Sequence, residues 1–275
     1  MSAPAPALQE ISFTEPARPA RRKIDLWLAA GIVIAVGAVL AGIASAGIRI
    51  GNFLQPAGML IVLGGTIGVT FITTPRLAIY RAARRALSVA SASMENRDAV
   101  MEEIVGLSRT ARSKGLFGLE LLISTVERPF LRESLQWAMD ARNREELQTT
   151  LQMKLKQLER QGETDARAFE VAGGFAPTIG VIGTVVGLMD VLRQFSNISS
   201  VAAGTGTAFV STIYGLGLAN LILLPAAQRI RAHLADQMET NEMIVEGTLC
   251  LFDGVHPALV RDRLSCFLRA EQHHA

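Results

Sequence analysis

Aromatic side chains make up only 5% of this 275-residue chain, charged ones only 19%, and cysteine occurs twice. Each scarcity excludes something. With so few aromatics, the 49% of residues that are hydrophobic are mostly Ala, Val, Ile and Leu, joined by many glycines. That mixture suits close packing of helices in lipid. A net charge of +2, with no Lys/Arg block interleaved with aromatics, argues against nucleic acid as a partner. Cys250 and Cys266 both lie in the C-terminal tail, too few and too far apart for a disulfide framework or a metal site. They are expected to be reduced thiols packed as small hydrophobes. Enzyme signatures are missing as well: HExxH, GxSxG, a phosphate-binding loop and a dinucleotide fingerprint are all absent. No catalytic residue, metal or cofactor is therefore expected. The four histidines, His233, His256, His273 and His274, sit in the tail and read as solvated.

What is present is long apolar sequence, and mean hydropathy is +0.30. Four runs stand out: Trp27–Gly47, Phe53–Thr74, Val171–Leu192 and Thr205–Ala227. Each has about the 20 residues a helix needs to cross ~30 Å of hydrocarbon. The first contains an Ala44-Ser45-Ala46 triplet, but it is too long and starts too late for a secretory leader. Basic residues precede the first run (Arg18, Arg21, Arg22, Lys23), follow the second (Arg76, Arg81, Arg84, Arg85) and follow the fourth (Arg229, Arg231). The two short connections carry only Arg49 and Arg193. By the positive-inside rule both termini and the long middle loop are cytoplasmic, in a bacterial inner membrane crossed several times.

The expected fold is an all-α membrane protein: four transmembrane helices, a helical cytoplasmic loop domain and a helical C-terminal tail. Its regions are 1–26, a disordered basic N-terminus; 27–75, helices 1 and 2; 76–170, the cytoplasmic helical domain; 171–228, helices 3 and 4 with the ion path; and 229–275, the cytoplasmic tail. In the loop, Val100, Ile104, Leu107 and Ala111 repeat at helical spacing between a cap at Asn96 and a stop at Gly115. Leu147, Leu151, Leu155 and Leu158 form a second stripe, and Pro129 opens another helix. The tail repeats the pattern with Met238, Val245, Leu249 and Phe252, then a turn at Asp253-Gly254 and a last helix from Pro257.

Small residues at Gly64 and Gly68, and at Gly183 and Gly187, predict faces for ordinary helix packing. Pro177 and Pro225 each remove an i→i−4 hydrogen bond in the cytoplasmic half of a span. Thr184, Thr207, Ser211 and Thr212 concentrate hydroxyls on the same two spans, which favours a polar path over four separate back-bonds to the parent helix. Asp190, near an outer end, is the one acid inside a span. An ion-binding carboxylate at membrane depth must then come from a partner.

These residues carry a resemblance. The stretch Ala172–Leu188 (AGGFAPTIGVIGTVVGL) resembles the third transmembrane helix of the MotA/PomA flagellar stator family, within the MotA/TolQ/ExbB superfamily. Ala208–Pro225 (AFVSTIYGLGLANLILLP) resembles the fourth, Gly247–Pro257 the motif after it, and Arg112–Glu120 (RSKGLFGLE) the charged segment that meets the rotor. The resemblance implies a pentameric ring around a MotB-like subunit that spans once, carries the ion-binding aspartate and binds the cell wall. Ion flow would then turn the ring against the rotor protein FliG. It implies ion-path and coupling roles for Pro177, Thr184, Thr212 and Pro225, and rotor-contact roles for Arg112 and Glu120. Two details differ among members. Many carry an acid where Gly174 stands, and Thr184 and Thr212 are shared with sodium-type members, although protons are the commoner ion and the one expected here. The alternative is a TolQ/ExbB-like energiser of outer-membrane transport, disfavoured because those proteins usually have three spans and begin outside.

Overall fold

The computed structural model describes residues 26–45, 47, 50–89, 96–193 and 198–268. The expected N-terminal tail, 1–26, lies outside them except for Leu26, which opens the first helix. Among the described residues there is no β-strand. Helix α1 is Leu26–Ser45. A turn at Ile50–Phe53 leads to α2, Pro56–Thr73, which contains a π-helical turn at Leu60–Gly64. Pro75 separates it from α3, Arg76–Val89. Next come α4, Arg97–Lys114, a short irregular stretch with one helical turn at Glu120–Ile123, and α5, Pro129–Asp140. Helix α6 is a single rod, Arg144–Arg193. Helix α7 runs from Ile198–Gly217 through a π-helical turn, Leu218–Leu223, into Leu224–Phe252. Helix α8 is Pro257–Ser265.

Local chemistry explains the ends. The Asn96 side chain accepts from the backbone N–H groups of Asp98 and Ala99 at 3.0 and 3.4 Å, which caps α4. Gly115 ends that helix with φ +73°, a conformation glycine adopts without a Cβ clash. Pro129 and Pro257 stand in the first turns of α5 and α8, where the missing N–H costs nothing.

Stretches of α2, α6 and α7 are each long and apolar enough to cross a membrane, and α1 adds an uncharged apolar stretch at Val33–Ser45. Their outward side chains are bare in the protomer, Ile72 being 85% exposed, as befits residues that face lipid or a neighbouring chain. At ~1.5 Å per residue, the 50 residues of α6 extend ~75 Å, far beyond the ~30 Å hydrocarbon layer. The boundaries drawn at 170 and 228 fall inside α6 and α7, so each helix carries both an apolar, membrane-length stretch and a charged extension.

The main hydrophobic core, beyond the apolar membrane-length stretches, collects α4, α5, α8 and the second half of α7. The predicted stripe Val100, Ile104, Leu107, Ala111 is buried, against Leu131, Leu135, Met243, Ile244 and Leu264. Each large aliphatic buried this way contributes roughly 1.5–3 kcal/mol. In the tail, the buried face of α7 is centred on Met243, Ile244 and Leu251, while Met238, Val245 and Phe252 are only half-buried. α7 packs between α4 and α5 and needs apolar residues on two sides. Cys250 is buried and its thiol is pushed up by desolvation, but Cys266 is exposed and does not pack as a small hydrophobe.

Candidate functional site: the crossing of α6 and α7

The two helices approach until backbones touch. A Cβ added to Gly187 would lie 2.7 Å from the nitrogen of Ala208, and one added to Gly215 would lie 2.6 Å from the carbonyl oxygen of Ala176. Only glycine permits this separation at those two points. Gly183 packs on a side chain instead, an added Cβ lying 2.6 Å from the Cβ of Ser211. Gly64 and Gly68 do not behave as expected: an added Cβ would meet nothing within 4 Å at either. The packed side of α2 is instead Gly58 against Ser211 and Gly65 against Ile179, because a four-residue spacing of small residues does not say which helix face turns inward.

Close approach sets the hydroxyls. The Oγ1 atoms of Thr184 and Thr212 lie 2.6 Å apart. Thr184 Oγ1 is also 3.1 Å from the Ala208 carbonyl oxygen and 3.2 Å from that of Gly180, while Thr212 Oγ1 is 3.5 Å from that of Ala208. Each hydroxyl has one proton, so one threonine donates to a carbonyl and accepts from the other, or the reverse. Both side chains are half-buried. A pair that donates and accepts interchangeably is suited to relaying a proton or offering oxygens to a small cation, and it carries no charge of its own.

The other two hydroxyls are used differently. Ser211 is buried between Gly58 and Gly183 and donates to its own helix at Thr207 O, 2.7 Å. Thr207 reaches Gln55 Oε1 at 3.3 Å, and the Tyr214 hydroxyl donates to the Phe53 carbonyl. Gln55 and Tyr214, which sequence reasoning missed, thus tie the first part of α7 to the entry of α2. A polar residue just before an apolar run and a tyrosine within one were the available signals.

Pro177 lies on the seam, one face against Gly215, and α6 continues through it without a break. The freed carbonyl is that of Gly173, and Gly173 packs on Leu223 and Leu224, just ahead of Pro225. Only Leu224 separates Pro225 from the π-helical turn Leu218–Leu223. A proline ring clashes with the carbonyl four residues back, and a wider turn moves that carbonyl aside. Pro177 and Thr184 are seven residues apart on α6, about 10 Å. Pro225 sits farther away, about 20 Å along α7 from Thr212, and is exposed.

An ionic brace unforeseen in the sequence crosses the helices at the foot of this seam. Asp165 on α6, 1% exposed, pairs with Arg81 at 3.1 Å and Arg85 at 3.7 Å on α3. Arg231 on α7 holds Glu163 and Glu170 on α6 at 2.7 and 2.6 Å. Hydrogen bonds from Arg231 hold the Glu170 carboxyl below its usual range, with desolvation opposing, and those to Glu170 and Glu163 raise Arg231 itself. Asp190 is half-buried near the opposite end of α6. Arg112, in the last turn of α4, and Glu120, opening the short turn beyond, are both exposed and form no ion pair among the described residues. They lie beyond the apolar stretches, away from the crossing.

Comparison with known proteins gives two family matches and a shared fold. Residues 122–243 match the MotA/TolQ/ExbB proton channel family, and residues 29–115 match the Motility protein A N-terminal family. The Arg112–Glu120 segment begins inside the second of these matches and ends in the short gap between the two. Motility protein A of Bacillus subtilis (strain 168) is 28% identical over 247 residues, covering 88% of this chain and 90% of that protein. Motility protein A of Treponema pallidum (strain Nichols) is 27% identical over 239 residues, covering 86% and 89%. Among solved structures, that of C. jejuni MotAB matches with a TM-score of 0.83 at 25% identity, covering 90% of this chain and 97% of that one. The flagellar MotAB stator complex from Bacillus subtilis matches at 0.80 and 25%, covering 88% and 96%.

Proposed function

We propose that this chain, which belongs to the MotA/TolQ/ExbB proton channel family, is the ring subunit of a flagellar motor stator and works with a MotB-like partner. The observation that carries this reading is the uncharged Thr184–Thr212 pair, held at a glycine-lined crossing of two spans. Such a pair can pass an ion but cannot neutralise one. A membrane-depth carboxylate from a single-span, cell-wall-binding partner supplies what these spans lack. Several copies of this chain, five in our reading, surround that partner.

The ion is a proton: hydroxyls relay protons readily, and protons are the commoner ion in the family the sequence resembles. The arginines after α2 and on α7 favour the cytoplasm for that end, which puts both termini inside an inner membrane crossed four times. A displacement at the proline-weakened seam, where Pro177 and Pro225 each lack a backbone bond, is carried outward because α6 and α7 are single rods. The exposed, unpaired Arg112 and Glu120 present charge to the rotor protein FliG. The chain itself performs no chemical conversion.

The deciding experiment is a mild-detergent purification of the tagged chain, with native mass of the complex and identification of what co-purifies. Five copies with two of a single-span, cell-wall-binding protein are expected. An ExbD- or TolR-like partner would move the chain to envelope transport, and no partner would leave the path without its acid.

A further inference from the structure

Outside the crossing, a groove of about 650 Å³ runs along the far side of α7. Val36 of α1, Met59 and Leu63 of α2, Val89 of α3, and Leu218 and Leu221 of α7 wall it. We propose that it seats one acyl chain of an anionic phospholipid from the cytoplasmic leaflet, with the headgroup beside Arg229. The leaflet assignment rests on the orientation proposed above.

Size, lining and charge each point to this occupant. The volume falls within the ~300–1,000 Å³ of cavities that hold small molecules. The wall is hydrocarbon apart from Tyr214 and Arg229, which mark its two ends. They are fifteen residues apart on α7, or about 22 Å, against ~15 Å of hydrocarbon in one leaflet. A tail entering at Arg229 has room to lie full length. Tyr214 closes the outer end, its hydroxyl engaged by the Phe53 carbonyl. A slot of this kind at membrane depth stands in contact with lipid tails, which gain by burial per methylene.

The charge at the open end selects the head. Arg229 is the one ionic residue in the lining. Helix α3, which contributes Val89, carries Arg76, Arg81, Arg84 and Arg85 and no acid. Arg81 and Arg85 are taken by Asp165, whereas Arg76 and Arg84 are exposed and unpaired among the described residues. A positive field at the leaflet surface favours anionic over zwitterionic lipid. The tail would also press on Leu218–Leu223 and Pro225, the stretch of α7 whose backbone bonding departs from the α-helix. Occupancy therefore stiffens the part of α7 that the motor reading needs to flex.

The test uses the complete stator complex, extracted from membranes in mild detergent and stripped of loosely held lipid, with retained phospholipid identified by native mass spectrometry. One phospholipid per copy of this chain is expected, enriched in anionic heads over the membrane extract. Gly217→Trp fills the groove: Gly217 lines it, and an added Cβ there meets nothing within 4 Å. That variant should lose about tenfold of the retained lipid, while Arg229→Gln should keep the lipid but return its headgroups to the composition of the extract. Wild-type complex holding no lipid, or only lipid in bulk proportions, overturns the proposal even if neither variant assembles. Unchanged retention in Gly217→Trp, or a Gly217→Cys disulfide between two copies, overturns it too, the latter by making the groove a protein interface. The readout does not depend on ion flow, and failure of the stator reading would appear separately as a missing partner.

Discussion

The same two helices are held together by opposite chemistries at their two ends. Through the membrane, α6 and α7 touch by glycine and hydroxyl, backbone against backbone, with the large side chains turned outward. Outside the membrane, α7 is clamped by Ile104, Leu135, Leu264 and a buried guanidinium: Arg97, 6% exposed, binds Asp236 at 2.7 Å, Glu239 at 2.6 Å and the Phe267 carbonyl at 3.1 Å. Water explains the difference. Below the membrane, apolar surface gains by leaving water and large aliphatics pack the core. Within lipid that gain vanishes, so close contact comes from small residues and hydrogen bonds. A seam with little side-chain interdigitation yields more easily than a core closed by packed aliphatics and ion pairs. The molecule is therefore compliant where ions are read to pass and stiff where force is read to leave.

The sharpest way to break this contrast is at Arg97. Arg97→Met leaves the Asp236 carboxylate buried without its guanidinium, which costs about 3–5 kcal/mol. Hydrogen exchange should accelerate throughout α4 while the amides of Gly180–Gly187 keep their protection. If both regions loosened together, the two ends would form one cooperative unit and the comparison would fail.

The reverse test is Gly187→Leu. Its side chain must displace backbone rather than a flexible neighbour, at about 1–3 kcal/mol or more. The expected result is a crossing pushed apart, the Thr184–Thr212 bond lost and torque abolished, with exchange in α4 unchanged. Normal swimming in that variant would remove the close crossing from the mechanism.

These expectations also mark what could be read in advance. The apolar runs, the caps at Asn96 and Gly115 and the stripe at Val100–Ala111 were legible because each is a local property of its own segment. Thr184 and Thr212 were legible as candidates, but Thr207 and Ser211 looked equivalent to them. Ser211 and Thr212 are adjacent, and only the rotation of α7 against α6 sends one into a packed glycine contact and the other to a partner hydroxyl. The same rotation hid the reversal between Gly64 and Gly65. The continuity of α6 through residue 170 was obscured because its charge pattern changes there while its helical geometry does not. The ionic brace was illegible for a further reason: Arg81, Asp165 and Arg231 come from three helices, and their arginines already had an explanation as topology signals.

That brace joins the two regimes and gives the smallest effect. Glu170 is 46% exposed, so its bond to Arg231 is screened and is worth about 0–1 kcal/mol. Its carboxyl is held below the ordinary value of 4.5, first by the Arg231 hydrogen bond. A carboxyl lowered in the fold stabilises it fully at pH above the unfolded value and loses that contribution as pH falls through the folded one. The melting difference between the purified wild-type complex and Glu170→Gln should therefore stay constant from neutral pH down to about 5 and shrink below it. A difference that persisted undiminished at pH 3 would assign the effect to packing of the side chain rather than to its charge, and the foot of the seam would then belong with the stiff half outside the membrane.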